Sequence, residues 1–341
     1  MTSFSRPRVV GALSTLPLLY ILYKTLLRRR GASRRQRLAT GVGCNNASVN
    51  GTSGTTSERV LVLGASSGIG RSIARQYSER GARVCVVGRR MALVDEVVAE
   101  CRNAAPGGQG AVLGFQGDFA NVEDMVRLRE LLLAEWDGID TLVVAAGVSA
   151  LQPLLAIAGA DVRGSELTPL ATTPEGIQRA KDVALAAATG NYFGPVVAAV
   201  TFVPLLSAKS PAPCIVLINT LASAIPAPTR TIYASSKGAS LLLYQALSIE
   251  QPQIKFAHIL PSTVEGDFRA SAVDSGPVRE QDPNKHGLKR EYVARKCIEA
   301  ADEGRNVTVF LPGVMRYAHL LYWLYPLFVE KKASKKYNFT P

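Results

Sequence analysis

From Arg59 onward the sequence alternates between short apolar runs rich in β-branched residues and longer stretches with helical periodicity. Such a chain folds into parallel strands joined by right-handed helical crossovers that cover both faces of a sheet. The predicted strands are Val60–Leu63, Arg83–Val87, Ala111–Phe115, Thr141–Ala145, Cys214–Asn219, Ile254–Ile259 and Asn306–Leu311. Helices are predicted between them, including Ser72–Arg80, Met91–Arg102, Val122–Trp136 and Glu175–Thr189. The pattern predicts an α/β fold with one doubly wound parallel sheet.

A glycine-rich turn, Gly64-Ala-Ser-Ser-Gly68-Ile-Gly70, joins the first predicted strand to the first helix. Glycines at these positions allow a tight turn and let phosphates approach backbone amides at a helix N-terminus. The spacing is Gly-x-x-x-Gly-x-Gly and differs from the Gly-x-Gly-x-x-Gly of longer dinucleotide-binding domains. Because the turn follows the first strand of a strand-helix series, it predicts a nucleotide-binding site.

The segment Tyr233-Ala-Ser-Ser-Lys237 carries a phenol and an ammonium four residues apart, on one face if it is helical. A phenol titrates near pH ~10, and an adjacent cation favours the phenolate. Tyr233 is therefore a candidate for proton transfer near neutral pH. The pair alone is weak evidence, because helix surfaces carry many such pairs by chance; the upstream glycine turn strengthens it.

Together these motifs resemble the short-chain dehydrogenase/reductase family over about Arg59 to Leu311. The resemblance implies a Rossmann-like, seven-stranded single catalytic domain, here over residues 58–312. It also implies four catalytic residues: Tyr233, Lys237, Thr220 and Asn191. Thr220 lies thirteen residues before Tyr233, where the family has serine, whereas Ser223 is three residues off register. Asn191 matches the family's helix asparagine, whose backbone helps to hold a proton-relay water.

The resemblance also implies a set of cofactor contacts. The sequence departs from the family's pattern in two of the segments that contain them. The predicted contacts are Gly64, Ser66, Ser67, Gly68, Ile69, Gly70, Arg89, Asp118, Ala146, Gly147 and Val264, with Tyr233 and Lys237. Val144-Ala145-Ala146-Gly147 stands where the family usually has Asn-Asn-Ala-Gly. In the predicted nicotinamide loop around Val264, Ser262 replaces a glycine and Gly266 a threonine.

The second predicted strand ends at Gly88-Arg89-Arg90, without the acid that binds the ribose hydroxyls in NAD-specific enzymes. A guanidinium offers a planar fork for a 2′-phosphate. The sequence therefore predicts NADP(H), with Arg89 as the better candidate for this contact. Two solvated arginines at the start of a helix are the alternative interpretation.

The formal net charge of +12 is concentrated at the two ends of the chain. Residues 1–37 contain eight arginines and Lys24 but no acid, and the tail carries Lys331, Lys332, Lys335 and Lys336. Because both basic ends flank apolar segments, they fit a membrane surface better than nucleic acid. The five cysteines are scattered without Cys-x-x-Cys spacing, so neither a metal site nor a disulfide framework is expected.

The apolar run Val9–Leu27 is near the length needed to cross a bilayer, and it predicts a membrane anchor within residues 1–30. The heavier positive flank follows the run, which predicts a catalytic domain facing the cytosol, and the endoplasmic reticulum is the expected membrane. Residues 31–57, rich in Gly, Ser, Thr and Asn, are predicted to form a flexible linker. A mitochondrial presequence is the competing interpretation.

Two segments depart from a minimal domain of this type. Ser149–Thr173 extends the connection after the fourth strand and is predicted either to wall the substrate pocket or to be a surface insertion. Met315–Val329, within the C-terminal region 313–341, is aromatic and broken by Pro326. It is predicted to be a helix lying on the membrane, with a dimer contact or a lid over the cleft as the alternatives.

The resemblance implies hydride transfer between a nicotinamide and a carbonyl or alcohol. The expected reaction is NADP(H)-dependent reduction of a ketone of a lipophilic substrate (keto-lipid, sterol, retinoid or long-chain carbonyl), with Tyr233 as general acid. Oxidation in the reverse direction and a membrane-anchored dinucleotide-binding protein with little activity are the alternatives. The family often forms oligomers through its long helices, so a homodimer is expected through the regions around Phe193–Leu206 and Ser235–Ile249.

Overall fold

A computed structural model describes residues 57–108, 111–160, 170–270, 272–278 and 282–339. The anchor predicted within residues 1–30 and the linker predicted over 31–57 lie outside the described residues, apart from residue 57. The same holds for residues 161–169 of the segment predicted to wall the pocket.

Seven parallel strands form one sheet in the order β3-β2-β1-β4-β5-β6-β7. The strands are β1 (Arg59–Leu63), β2 (Arg83–Gly88), β3 (Val112–Gln116), β4 (Thr141–Val144), β5 (Cys214–Ile218), β6 (Lys255–Pro261) and β7 (Val307–Leu311). The predicted parallel sheet is confirmed, with strand ends that differ by one or two residues from those expected. The strand order reverses between β1 and β4, where the carboxyl ends of the strands open a crevice for ligands.

Helices cover both faces of the sheet. They are α1 (Gly68–Glu79), α2 (Met91–Ala104), α3 (Val122–Trp136), α4 (Leu154–Ile157), α5 (Pro174–Ala188), α6 (Gly194–Lys209), α7 (Thr231–Glu250), α8 (Pro283–His286), α9 (Arg290–Asp302), α10 (Met315–Leu324) and α11 (Pro326–Lys336). A π-helical turn, Thr189–Phe193, joins α5 to α6, and short 3-10 turns lie at Pro106–Gly108 and Leu221–Ser223. Asn121 caps α3 by accepting a hydrogen bond from the amide of Asp124.

Alternate residues of each strand supply two separate hydrophobic layers. Val60 and Val62 of β1 pack in one buried cluster with residues of α1, α2 and α9. Leu61 and Leu63 pack in the other with residues of α3, α6 and α7. Each fully buried side chain of this size contributes about 1.5–3 kcal/mol. The two layers hold the strands in register and fix where their carboxyl ends lie.

The amino edge of the sheet, where the strands begin, is closed by buried ion pairs. Arg59 donates from Nε and Nη2 to the two oxygens of Asp140 at 2.9 and 2.8 Å, and only 13% and 5% of the two side chains is exposed. The hydrogen bond to Asp140 is the main reason that the pKa of Arg59 is raised. Arg80 pairs in the same way with Glu58 and Asp302, at 2.6 and 2.9 Å.

The C-terminal region forms two helices, which corrects the prediction of one helix over Met315–Val329. The backbone leaves the helical conformation at Tyr325, and α11 starts at Pro326, whose ring and missing N–H do not allow a helix to continue through it. Nδ1 of His319 in α10 donates a hydrogen bond to the carbonyl oxygen of Ala224 at 2.8 Å. This contact fixes α10 against the loop that follows β5.

Within the part of the chain that the structure describes, one helix is long and apolar enough to cross a membrane. It runs from Pro174 to Lys209 through α5, the π turn and α6, with a mean hydropathy of 1.5 over its most apolar window, of which 39% is buried. Phe202 and Leu206 of this helix are fully buried in the core. Core helices of α/β domains pass the same test of length and composition, so the helix is weak evidence for a span.

Candidate active site

The glycine turn after β1 adopts a conformation that suits glycine and forbids larger residues. Gly64 and Gly68 have φ values of 85° and 57°, in the left-handed region. A Cβ on Gly64 would lie 2.5 Å from the amide nitrogen of Ala146, and one on Gly70 would lie 2.3 Å from the carbonyl oxygen of Gly64. The turn therefore packs directly against the end of β4, as the predicted contacts at Ala146 and Gly147 require.

The N-terminus of α1 is free to receive an anion. Ser67 occupies the N-cap position but makes no side-chain capping bond, and the first turn contains no acid. The amides of a helix start that are not capped bind phosphate well, because they and the helix dipole both favour negative charge. This cradle fits the pyrophosphate of a dinucleotide.

Arg89 and Asp118 lie side by side at the edge of this cradle. The Nη1 atom of Arg89 is 4.0 Å from the Asp118 carboxylate, and the Arg89 side chain is 71% exposed. Gln116 donates a hydrogen bond to the Arg89 carbonyl oxygen at 3.1 Å, which holds the backbone of this turn. A Cβ on Gly88 would lie 2.9 Å from the Ser66 side chain. The end of β2 and the glycine turn are thus close enough to contact one bound nucleotide.

Asn191 and Lys237 converge on Gly147 at the end of β4. A Cβ on Gly147 would lie 2.7 Å from Asn191 Oδ1 and 3.0 Å from Lys237 Nζ. Asn191, in the π turn, accepts from the amide of Val148 and donates to its carbonyl oxygen, both at 2.9 Å, and also donates to Ser236 Oγ at 3.1 Å. Through these hydrogen bonds the Asn191 side chain holds the backbone that follows β4. The extra residue of the π turn allows this placement, and such turns are frequent at functional sites.

Lys237 is a buried cation. It is 5% exposed, and its Nζ donates to the carbonyl oxygen of Ile218 at 3.1 Å. No carboxylate of the described residues forms an ion pair with it. Burial lowers the pKa of Lys237 to about 8. A lysine with this pKa can hold or release a proton under mildly alkaline conditions.

Thr220 begins the 3-10 turn after β5, and its hydroxyl accepts from the amide of Ala222 at 3.3 Å. Ser223 donates to the Thr220 carbonyl oxygen at 2.7 Å, so it supports this turn. Asn219, which the sequence analysis did not single out, accepts from the Thr220 amide and donates to the Lys237 carbonyl oxygen, both at 2.9 Å. It joins the predicted serine-equivalent position to the helix of Tyr233. The sequence signal that could have identified Asn219 is a polar residue at the end of a buried strand.

Tyr233 lies in a small hydrophobic cluster and is 8% exposed. The cluster also contains Ala150 and Ile157, both from the segment predicted to wall the pocket. The ring of Phe268, in the loop after β6, meets the Tyr233 ring edge-on at 6.1 Å between centroids. Residues 149–160 therefore pack beside the predicted acid, which favours the pocket-wall interpretation for this part of the segment.

Asp274 ties the same segment to the loop after β6. Its carboxylate accepts hydrogen bonds from the amides of Leu151 and Gln152 at 2.6 and 2.8 Å, and Asp274 is 9% exposed. The amide of Val273 donates to the carbonyl oxygen of Ser149 at 2.9 Å. Sequence reasoning missed this residue because the contact spans more than a hundred positions.

The predicted nicotinamide loop is held by the segment before α9. Val264 pairs with Leu288 in a parallel bridge, and the Glu265 amide donates to the Leu288 carbonyl oxygen at 3.0 Å. The amide of Gly266 donates to Asn284 Oδ1 at 2.9 Å. These bonds order the loop around Gly266, one of the two positions where the sequence departs from the family's pattern.

Arg230 is a third residue that the sequence analysis missed. It precedes α7, is 4% exposed, and places its guanidinium carbon 4.4 Å from the centroid of the Tyr233 ring. An arginine three residues before the predicted acid was visible in the sequence, but its burial depends on the tertiary structure. The predicted catalytic residues and these additional side chains thus gather at the carboxyl edge of the sheet.

Comparisons with known proteins agree with this architecture. A family model described as short chain dehydrogenase matches residues 58–275. A protein of Arabidopsis thaliana, 11-beta-hydroxysteroid dehydrogenase-like 3, is 31% identical over 210 residues. The match covers 61% of this chain and 60% of that protein.

Two solved structures share the fold at 20% sequence identity. An alcohol dehydrogenase from the archaeon Thermococcus sibiricus, complexed with 5-hydroxy-NADP, has a TM-score of 0.58 and is matched over 74% of this chain and 95% of that chain. A short chain dehydrogenase/reductase from Burkholderia phymatum, in complex with NAD, has a TM-score of 0.63, with coverages of 78% and 93%. At this identity the likeness concerns the fold alone.

Proposed function

Because the chain belongs to the short chain dehydrogenase family, we propose that it is an NADP(H)-dependent oxidoreductase that reduces a ketone of a lipophilic substrate. The observation that carries this proposal is that Asn191 and the buried Lys237 converge at the end of β4. Lys237 lies four residues after Tyr233 in α7, so both side chains are on one face of that helix. Keto-lipids, sterols, retinoids and long-chain carbonyls are the substrate classes proposed. The hydroxysteroid dehydrogenase-like relative is consistent with the second of these.

In the proposed mechanism a bound nicotinamide would supply the hydride that adds to the carbonyl carbon. The hydroxyls of Thr220 and Tyr233 hold the carbonyl oxygen, and Tyr233 donates its proton to that oxygen as negative charge develops on it. Lys237 stabilises the resulting phenolate through its positive charge. The backbone of Asn191 helps to hold the water that returns a proton from solvent. Ala150, Ile157 and Phe268 exclude bulk water from the phenol.

The cofactor proposal rests on Arg89. Its guanidinium is exposed beside the glycine turn, where it can bind a 2′-phosphate, and no acid occupies the end of β2. The two solved structures carry different cofactors, a modified NADP in one and NAD in the other, so the preference for NADP(H) is argued from this chain's own residues.

A membrane location supports the choice of a lipophilic substrate. The C-terminal helices α10 and α11 leave large apolar side chains more than half exposed: Tyr317, Leu320, Trp323, Leu324, Tyr325, Leu327 and Phe328. Four lysines lie on or next to the same helices, at positions 331, 332, 335 and 336. An apolar face bordered by lysines suits the surface of an anionic membrane. The proposed membrane is the endoplasmic reticulum, with the catalytic domain on the cytosolic side.

The proposal also includes a homodimer. Val200 of α6 is 73% exposed, and Leu242 and Ile249 of α7 are 68% and 81% exposed. Apolar residues in these positions on two long neighbouring helices favour contact with a second copy of the chain. Mass measurement of the detergent-solubilised protein, before and after Val200→Glu, tests this part of the proposal.

Titration of the full-length protein in detergent with NADPH and NADH, followed by nicotinamide fluorescence, tests the cofactor. Arg89→Ala is expected to weaken NADPH binding by about 10- to 100-fold, equivalent to ~1.5–3 kcal/mol for a charge-assisted hydrogen bond. NADH binding is expected to change little, and Arg90→Ala is the matched control. Failure of the wild type to bind either nucleotide would overturn the proposal.

Turnover of lipophilic ketones tests the chemistry. Tyr233→Phe is expected to lower kcat by about 10²- to 10⁴-fold, because a general acid is removed. NADPH binding by this variant is expected to stay near the wild-type value, which shows that the fold is retained. Binding of NADPH by the wild type without turnover of any ketone or alcohol would favour a dinucleotide-binding protein with little activity.

Flotation with lipid vesicles tests the membrane surface. Vesicles that contain anionic lipid are expected to recruit the protein more strongly than neutral vesicles, and added salt is expected to reduce the difference. A chain that begins at residue 57 isolates the contribution of α10 and α11, and Trp323→Ser with Leu327→Ser is expected to weaken its recruitment. Equal recruitment of this double variant and its parent would contradict the assignment of the two helices.

A further inference from the structure

Arg230 is a buried cation, and no carboxylate of the described residues forms an ion pair with it. It is 4% exposed, and its Nη1 atom has no hydrogen-bond partner. Across the described residues its side chain forms neither an ion pair nor a hydrogen bond. A guanidinium stays protonated at any pH at which a protein is folded. Burying such a charge without a partner is unfavourable, so the position demands a physical explanation.

The charge of Arg230 is directed at Tyr233. The guanidinium carbon lies 4.4 Å from the ring centroid, well within the range of a cation–π interaction. A comparable contact elsewhere, Arg295 over Tyr292, is longer at 5.6 Å, and the Arg295 side chain is 63% exposed. Water screens the charge of Arg295, whereas Arg230 is 4% exposed, so its charge acts on the Tyr233 ring with less screening.

The backbone before Arg230 is strained. Thr229 has a φ of 65° and is 4% exposed. A β-branched residue in the left-handed region is unusual and raises the energy by about 1–3 kcal/mol. Immediately afterwards, the Arg230 carbonyl oxygen accepts the first hydrogen bond of α7, from the amide of Ala234 at 2.7 Å. The strained residue therefore sets the direction in which the chain delivers the guanidinium to the start of the helix.

The groups around Tyr233 differ in whether they keep their charge. Helix α7 contributes Arg230 and Lys237, and the pKa of Lys237 is lowered to about 8, so its charge fades in alkaline solution. The loop after β6 contributes the uncharged ring of Phe268, next to Asp267 and Arg269 in the chain. The hydrophobic cluster that contains Tyr233 includes Ala150, Ile157, Val183 and Ala187 from other elements.

We infer that Arg230 is a positioning residue whose permanent charge, stacked on the ring of Tyr233, favours the phenolate and so makes the phenol a stronger acid. This inference rests on the proposed function of Tyr233 as the general acid. Lys237 favours the phenolate as well, but only while it holds its own proton. Arg230 extends that support to the pH range in which Lys237 is neutral.

Spectroscopic titration of the Tyr233 phenol tests the inference without any substrate. The phenolate absorbance of full-length protein is followed against pH, and the Tyr233→Phe titration is subtracted to isolate this side chain. Arg230→Met is expected to raise the midpoint by about one pH unit or more, because a nearby cation has been removed. Arg230→Lys is expected to restore part of the shift, and Arg295→Met is the matched control with no expected shift.

The pH profile of ketone reduction separates an electrostatic role from a merely structural one. Reduction requires the protonated phenol, so the alkaline limb of kcat follows the ionisation of Tyr233. In Arg230→Met this limb is expected to move to higher pH while the plateau falls. A lower plateau with an unmoved limb, or identical midpoints in the absorbance titration, would overturn the inference. NADPH binding verifies that each variant is folded, and Arg230→Gln provides a second neutral replacement.

The two experiments keep the inference distinct from the proposed function. If no ketone is turned over by the wild type, the proposed function fails, yet the absorbance titration still decides whether Arg230 controls the ionisation of Tyr233. If ketones are reduced and the midpoints coincide, the proposed function stands and the role of Arg230 is refuted.

Discussion

The two edges of the sheet treat buried charge in opposite ways. At the amino edge, Arg59 and Asp140 meet through two hydrogen bonds, so each charge is neutralised by its partner. At the carboxyl edge, Lys237 and Arg230 are equally buried, and no carboxylate among the described residues pairs with either. Paired charges join strands, whereas a buried cation without an anion is free to act on a neighbouring group. The contrast separates the part of the molecule that stabilises it from the part proposed to do chemistry.

Arg59→Met is expected to have the largest effect on stability. Removal of the guanidinium leaves the Asp140 carboxylate buried without its partner, which lowers the free energy of unfolding by about 3–5 kcal/mol. Turnover per folded molecule is expected to stay unchanged, because the pair lies at the opposite end of the strands from the candidate site. Chemical denaturation provides the measurement.

Arg75→Met is the control for this substitution, since Arg75 faces Glu79 at 3.6 Å on an exposed helix surface. Its expected effect is within about 1 kcal/mol. Equal losses of unfolding free energy in Arg59→Met and Arg75→Met would contradict the distinction between a buried structural pair and a surface pair.

Lys237→Met is expected to stabilise the protein while abolishing its activity. The folded pKa of Lys237 is lowered to about 8 by burial, against about 10.4 in an unfolded chain. Below pH ~8 the lysine is charged in both states, so the full unfavourable effect of burial is present there. At pH 7 the variant is expected to be more stable than the wild type by about 3 kcal/mol.

The stability difference between Lys237→Met and the wild type is expected to depend on pH. Between pH ~8 and ~10.4 the unfolded wild-type chain binds more protons than the folded one, so wild-type stability rises with pH. The advantage of Lys237→Met should shrink over that interval and remain constant below it. A variant less stable than the wild type at pH 7 would indicate that Lys237 is stabilised by groups beyond its bond to Ile218.

Thr141→Val sharpens the description of the amino edge and is expected to have the smallest effect among the variants at buried positions. The Thr141 hydroxyl donates to the Glu58 carboxylate at 2.7 Å in a fully buried position. Valine has a similar shape but no donor, so the expected loss is about 2 kcal/mol. Because Arg80 still neutralises Glu58, the loss should be smaller than that of Arg59→Met in the same denaturation experiment.

Much of the fold was predictable because it depends on local patterns. Alternation of β-branched runs and helical stretches predicted all seven strands, and the glycine turn marked the start of α1. The break at Tyr325 follows from Pro326, which the sequence shows directly, although one helix was predicted there. The membrane anchor over Val9–Leu27 lies outside the described residues and stays a prediction.

The parts of the candidate site that escaped prediction depend on contacts between distant segments. Arg230 resembles any surface arginine until the ring of Tyr233 is found 4.4 Å away. Asn219 gains its importance from bonds to α7, eighteen positions further along the chain. The π turn that carries Asn191 lies inside a continuous run of helix between α5 and α6. The hydrophobic periodicity of the sequence does not predict any of these three features.

If residues 149–160 wall the proposed pocket, the carboxylate of Asp274 makes substrate selectivity a joint property of two remote stretches of chain. It fastens Leu151, 123 positions earlier, to the loop after β6, and both stretches contribute residues beside Tyr233. Replacing either stretch alone with that of a relative would break this connection before it reshaped the cleft. A graft that transfers substrate preference from one member of the family to another must therefore carry both stretches together.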